Sequence, residues 1–198
     1  ISNSKLLSVY NIDDSYMSKI NQEKLFTLVK NNIKKNDIVI VSDYGHGMIT
    51  KKLAEYICKN AKFLAVNAQI NAANRGYHSL LNYKSKSSLI IVNENELRHE
   101  MRDKRSGIKI LMKKFSRASK FKDLIITRGS MGAILYNRRN NKFFYSHAFA
   151  KKIVDKIGSG DSMMALSSIS IASGLDKSLS LFFGSLAAAV SSSFLKAL

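Results

Sequence analysis

Apolar residues recur along this chain at two alternating periods. Residues 18–35 carry Leu25, Leu28, Val29 and Ile33 at helical spacing, and residues 37–42 (D-I-V-I-V-S) follow as a short run without polar alternation. The first pattern predicts an amphipathic helix, the second a fully buried strand. Thr50 stands where a helix cap belongs, ahead of Leu53, Ile57 and Cys58 on one face. Further strands are predicted over 62–66, 89–92 and 123–127, each separated from the one before by a helical or loop stretch. Such alternation is expected of a parallel sheet covered by helices. Residues 132–136 and 142–146, joined by the polar segment 137–141, predict an antiparallel hairpin added to that sheet. No internal repeat, low-complexity linker or second domain breaks the pattern.

Near the C-terminal end, Met164, Leu166, Ile169, Ile171 and Leu175 predict a helix stopped by Gly174, with another helix around Ala187, Ala188 and Ala189. The start of the first falls on Gly158-Ser159-Gly160-Asp161, the end of the string D-K-I-G-S-G-D that opens at Asp155. The first amides of a helix lack intrahelical partners and lie at the positive end of its dipole. Glycines at 158 and 160 let an anion approach the backbone, and a carboxylate stands beside it. The same string also describes an ordinary turn capped by an acid.

Each predicted parallel strand runs into polar or glycine-rich residues: Asp43-Tyr44-Gly45-His46-Gly47, then Asn67, then Asn93-Glu94-Asn95-Glu96, then Thr127-Arg128-Gly129-Ser130. Ligands of open parallel sheets bind beyond the carboxyl ends of the strands, so these residues are expected to share one cleft. Several have a plainer reading. Asp43 could cap its own loop, His46 could be a loop histidine, and Glu96 could belong to a solvated helix start. Asn67, Gln69, Asn71 and Asn74 could bond a polyhydroxylated ligand or satisfy an irregular loop. Cys58 is expected to pack.

Composition bounds the class. The chain has 198 residues, 45% of them hydrophobic, with a mean hydropathy of −0.10. That suits one globular domain, and no run of apolar residues is long enough for a membrane span. The first residues lack the layout of a signal peptide, and the single cysteine excludes a disulfide framework, so a cytoplasmic setting is expected. The net charge of +18 raises nucleic-acid binding. Its densest stretch, residues 98–122, spaces Ile108, Ile110, Leu111 and Phe115 as an amphipathic helix whose lysines form a solvated face. No nucleic-acid signature accompanies it, and nucleic acid is not expected as a partner.

Taken in order, the motifs resemble those of the PfkB (ribokinase-like) family of ATP-dependent sugar kinases. D-K-I-G-S-G-D at 155–161 is similar to the family's D-T-x-G-A-G-D, Asn93 to Glu96 to its N-x-x-E, and Thr127, Gly129 and Gly132 to its T-x-G-x-x-G. Ser42 to Gly47, S-D-Y-G-H-G, looks most like the S-D-Y-G-K-G of the heptose-7-phosphate kinase branch, which includes fused kinase/nucleotidyltransferase relatives. Lys156 stands where the family has Thr, Ser159 where it has Ala, and His46 where the branch has Lys.

The resemblance implies a ribokinase-like α/β fold, and transfer of the γ-phosphate of ATP to a sugar or sugar-phosphate hydroxyl. It implies Asp161 as general base and Gly158, Ser159 and Gly160 as an anion hole. It also implies Asn93 and Glu96 around Mg²⁺, Thr127, Gly129 and Gly132 along the nucleotide, and Asp43 and Asn67 on the substrate side. A monovalent cation such as K⁺ and a homodimer belong to the same expectation. The match covers the C-terminal portion of such a kinase. Residues 1–198 are therefore expected to be one partial kinase domain from a longer chain, without the N-terminal sugar-binding strands and most of the lid. Alternative acceptors are a nucleoside or a vitamin precursor. From other classes, a basic nucleic-acid-binding module or an inactive kinase-like scaffold remain as readings.

Overall fold

A computed structural model describes residues 15–69, 79–84, 89–150 and 158–194. Asp155, Lys156, Asn71 and Asn74 lie outside the described residues. Six strands form one sheet in the order of the sequence: β1 (Ile38–Asp43), β2 (Phe63–Ala68), β3 (Leu89–Asn93), β4 (Asp123–Thr127), β5 (Ala133–Asn137) and β6 (Lys142–Ser146). β1 to β4 pair in parallel, and β5 and β6 continue antiparallel as the expected hairpin. The hairpin turn is closed by Asn137, whose side-chain oxygen accepts the Asn140 N–H at 3.2 Å, and by Asn141 in the left-handed region at φ 55°. Short polar side chains tolerate that conformation.

The helices divide between the two faces. On one, α2 (Lys51–Asn60) and α4 (Ile108–Ser119) bury Leu53, Ile57, Leu111, Met112 and Phe115 against Leu64, Val66, Ile90, Val92, Leu124 and Ile126. On the other, α5 (Ser159–Ala172) and α6 (Lys177–Phe194) bury Met163, Met164, Ile171 and Leu181 against Ala65, Leu89, Ile91 and Ile125. Successive strand residues thus go to opposite helix layers, which is why β2 to β4 read as unbroken apolar runs.

α5 and α6 approach closely because their contact is made of small residues. A Cβ on Gly184 would lie 1.9 Å from Ser167 Oγ. Ser168 and Ser180 return their hydroxyls to the carbonyls of Met164 and Asp176, four residues back, so that burial leaves them bonded. Gly174, at φ 82°, ends α5 with the paired bonds from Gly174 N to Ile171 O and from Leu175 N to Ser170 O. Asp176 then starts α6 by accepting the Ser178 N–H at 2.7 Å.

Several predicted faces are corrected. Among the described residues β1 is the sheet edge, so Ile40 stays 43% exposed and the strand is half-buried rather than fully buried. The first helix, α1 (Lys19–Asn32), packs from the periphery with Leu25, Phe26 and Val29 partly covered. It leaves Leu28 61% exposed and is followed by a 3-10 turn in which Ile33 is buried. In α4, Ile110 faces solvent. In α5, Leu166 and Ile169 are exposed while Ser167, Ser168 and Ser170 are buried, because the small side chains are what the α6 contact requires. The basic stretch splits into α3 (Glu94–Met101) and α4, broken at Arg102 in the left-handed region. The α4 lysines do form a solvated face, and two of them, Lys109 and Lys113, set their ammonium groups over the Phe143 ring at 5.6 Å.

Two charged ties lock the sheet. Asp123, 2% exposed at the start of β4, accepts Lys177 Nζ at 2.9 Å from the start of α6 and Asn137 Nδ2 from β5. At the other end of β4, Glu94 joins two arginines. Its Oε1 accepts Arg98 Nη2 at 2.7 Å and its Oε2 accepts Arg128 Nε at 2.7 Å. Arg98 further donates to the Lys104 and Ser106 carbonyls and so pins the loop after α3. Burial pushes the Glu94 carboxyl upward, but the bonds and charges of Arg128 and Arg98 outweigh it and hold the group below its ordinary 4.5.

Two stability measurements follow. Gly132, at φ 79°, would bring a Cβ to 2.0 Å from the Ser146 carbonyl, whereas Gly129, at φ 57°, has open space there. Urea unfolding should show Gly132→Ala losing about 3 kcal/mol and Gly129→Ala about 1 kcal/mol. The depressed Glu94 pKa makes its contribution complete above the ordinary 4.5 and lost as pH falls from there through the folded value. Glu94→Gln should therefore cost stability at neutral pH, and its deficit against wild type should shrink steadily as the acid limb is entered.

Candidate active site

The parallel register brings the strand ends together. Ser42 pairs with Asn67 across β1 and β2, and Asn93 with Thr127 across β3 and β4. By the alternation of the pleat, all four lie on the face that carries α5 and α6. The N-terminus of α5 is set over that row. Gly158 caps the helix at φ 78°, and no side chain bonds the cap. A Cβ on Gly160 would meet no atom within 4 Å, so the backbone there is open to close approach. Together these elements enclose a cleft of about 560 Å³, lined by Asn67, Asn93, Glu96, Thr127, Gly129, Gly132, Ser159 and Gly160 among others.

Glycine is required in the loop after β4 by its own geometry. Arg128 N–H reaches back to the Gly132 carbonyl at 2.8 Å around a 3-10 turn (Gly129–Met131), which needs positive φ at both Gly129 and Gly132. The Arg128 to Glu94 ion pair ties this loop to the beginning of α3. That beginning is a capping box. Asn93 Oδ1 accepts the Glu96 N–H at 2.9 Å, and Glu96 Oε2 accepts the Asn93 N–H at 2.8 Å. Glu96 is 8% exposed, so it is a helix-start acid held inward against the cleft rather than one facing water.

Asn67 is fixed by its neighbour strand. Its Nδ2 donates to the Ile91 carbonyl at 3.1 Å, which turns Oδ1 away as an acceptor. That oxygen is buried and has no hydrogen-bond partner among the described residues, and the same holds for Ser185 Oγ on α6. Both residues are more than nine-tenths buried and both line the cleft. An unmet buried polar atom costs on the order of 1–3 kcal/mol, so two of them on one cavity wall fit a ligand that supplies hydrogen bonds. An anionic, polyhydroxylated ligand approaching an uncapped helix start meets that requirement.

Asp43 and Asp161 are placed apart from each other. Asp43 lies on the opposite face of the sheet from Ser42, 4% exposed, and accepts the Tyr83 hydroxyl at 2.6 Å and the Gly45 N–H at 2.9 Å. Tyr83 itself is fully buried, and burial, with the Asp43 charge beside it, pushes its hydroxyl far above the ordinary range. His46 follows in the half-buried loop after β1 and does not line the cleft. Asp161, in the first turn of α5, accepts the Ser42 hydroxyl at 3.3 Å. Cys58 packs half-buried against the α2 core, where burial pushes its thiol up.

The structure thus gathers Asn67, Asn93, Glu96, Thr127, Gly129, Gly132, Ser159 and Gly160 on one cleft, with Gly158 and Asp161 at its helix-start rim, and sets Asp43 aside. Sequence reading missed Ser185 and Ser192, which α6 contributes to the same cleft along with Ala188 and Ala189. A signal was present: serines seven apart in an apolar helix fall on one face. Ser42 stands in the sequence as one letter of the S-D-Y-G-H-G string, and its parity with Asn67 and Asn93 is the signal that singles it out.

Comparisons with known proteins bear on the family and the fold. A profile of pfkB family carbohydrate kinases matches residues 7–193. The bifunctional protein HldE of Desulfatibacillum aliphaticivorans is 28% identical over 170 residues, which are 82% of this chain and 34% of that protein. The chain spans about a third of the length of such relatives. Phosphofructokinase-2 from Escherichia coli in complex with potassium superposes with a TM-score of 0.68 at 13% identity, covering 89% of this chain and 57% of that one. Ribokinase from Arabidopsis thaliana, complexed with ribose and ATP, gives 0.62 at 18% identity, covering 90% and 54%. With nearly its whole length matched by the profile and its sheet and helices matched by solved kinases, the chain belongs to the pfkB family of carbohydrate kinases.

Proposed function

We propose that this chain carries the phosphoryl-transfer half of an ATP-dependent sugar or sugar-phosphate kinase. The observation that supports it most is the meeting of an uncapped helix start at Gly158 with a row of strand-end polar groups across one cleft that holds two unpartnered buried polar atoms. Phosphoryl transfer is catalysed mainly by positioning and by stabilising charge on the transferring oxygens. The amides of Gly158, Ser159, Gly160 and Asp161, at the positive end of α5, are suited to that charge. Asp161 takes the proton of the acceptor hydroxyl as that oxygen bonds to phosphorus and the bridging oxygen leaves with ADP.

Thr127, Gly129 and Gly132 border the nucleotide, and α6 closes the far wall through Ser185 and Ala188. Asn67 presents its acceptor oxygen to the same cleft, on the substrate side. Asn93 and Glu96 hold the cation end. Among the described residues no group of three or more His, Cys, Asp or Glu comes together to bind a metal. A magnesium ion here would therefore draw most of its oxygens from phosphate and water, as that ion commonly does. It would supply charge neutralisation. A monovalent cation is part of the same reading, by likeness to the potassium-bound phosphofructokinase-2. No helix among the described residues is long and apolar enough to cross a membrane.

The acceptor is proposed as a phosphorylated sugar because S-D-Y-G-H-G, which spans the end of β1, resembles the S-D-Y-G-K-G of the heptose-7-phosphate kinase branch. A panel of sugars and sugar phosphates, heptose 7-phosphate included, assayed with ATP and Mg²⁺ on the full-length protein, should yield ADP with at least one of them; silence across the panel counts against the reading. In the same protein Asp161→Asn should lower kcat by at least about a thousandfold while ATP affinity stays within about twofold. Retained turnover would remove Asp161 as the base.

A further inference from the structure

β1 ends on two neighbouring polar side chains that part across the sheet. Asp43 turns to the α2 side, where the Tyr83 hydroxyl and the Gly45 amide occupy its two oxygens. The backbone of the same residue accepts the Gln69 N–H at 2.8 Å, continuing the ladder with β2 to the last residue. The strand end is thus clamped from the core side and from its neighbour strand. Ser42, one residue earlier, is carried by that clamp on the α5 side, with its Oγ 3.3 Å from Asp161 Oδ1.

α5 fixes the backbone of Asp161, but a carboxylate on an sp³–sp² bond rotates broadly unless a partner selects its orientation. The hydroxyl of Ser42 is that partner: it donates to Oδ1, a bond in which Oδ2 takes no part. A general base must hold a lone pair within hydrogen-bond reach of the proton it removes. The contact joins residues 119 apart in sequence, from the edge strand to the helix that supplies the anion-binding amides.

We infer that Ser42 is a positioning residue for Asp161, orienting its carboxylate for proton abstraction, and that the Tyr83 to Asp43 clamp holds Ser42 in place. This rests on the assignment of Asp161 as general base. It gives the serine of the S-D-Y-G string a task distinct from that of the aspartate beside it. Asp43 contributes through the rigidity of the strand end, on the far side of the sheet from the reacting groups.

The test compares S42A, S42T and D161N in the full-length protein. With the aspartate carboxyl carbons labelled for ¹³C NMR, D161N identifies the Asp161 signal by its disappearance. S42A should displace that signal and S42T should leave it near its wild-type position, since threonine keeps the hydroxyl. In turnover with ATP, Mg²⁺ and the acceptor found by the sugar panel, S42A should lower kcat about tenfold with KM for ATP within about twofold, and S42T should recover most of the loss. An Asp161 signal unmoved in S42A, or an S42A enzyme with wild-type kcat while D161N is inactive, overturns the role of Ser42 alone. An active D161N removes the general base itself, and the positioning role with it.

Discussion

The parallel register between β3 and β4, which sets Asn93 opposite Thr127, is the constraint on which the rest of the site depends. It places the capping box of α3 beside the glycine turn after β4 and lets Glu94 reach Arg128. A one-residue slip of β4 would send Thr127 to the other face and turn the strand's apolar side chains away from the layers they pack against. The apolar runs of β3 and β4, buried on both sides, hold that register, and Asp123 with Lys177 and Asn137 secures the opposite end.

On this frame the second helix layer is positioned by absence of bulk. Gly184 and the buried serines allow α6 to lie close on α5, so that Ser185 and Ser192 reach the cleft that α5 opens. The start of α5 is in turn set over the strand ends by Met163 and Met164, which pack on Ala65, Leu89 and Ile91 of the sheet. The first amides of α5, the strand-end amides and the Asp161 carboxylate are therefore positioned by apolar packing some distance from the cleft.

Much of this was readable residue by residue. Strand runs, the Thr50 cap, the N-x-x-E box, the glycine turn at 129–132 and the helix start at Gly158 each depend on a few neighbours, and each formed where local pattern put it. The errors were of another kind. Leu28, Ile110, Leu166 and Ile169 have helical spacing and still face outward. Spacing tells which residues share a face, not which face a neighbour covers. In α5 the inward face sets Ser167, Ser168 and Ser170 beside Met163, Met164 and Ile171, because a helix with a glycine lies against it.

The division between sequence and structure has one physical origin. The sequence by itself determined the elements, the polar character of the parallel strand ends, and the helix start at the G-S-G-D turn, because hydrogen-bonding and steric rules act over three or four residues. Tertiary structure decided that β1 is an edge. It also decided that Asn67 and not Asp43 looks into the cleft, that Ser185 joins from a distant helix, and that Ser42 meets Asp161 across 119 residues. Those outcomes follow from pleat parity, register and the packing of whole helices, and no local window contains them.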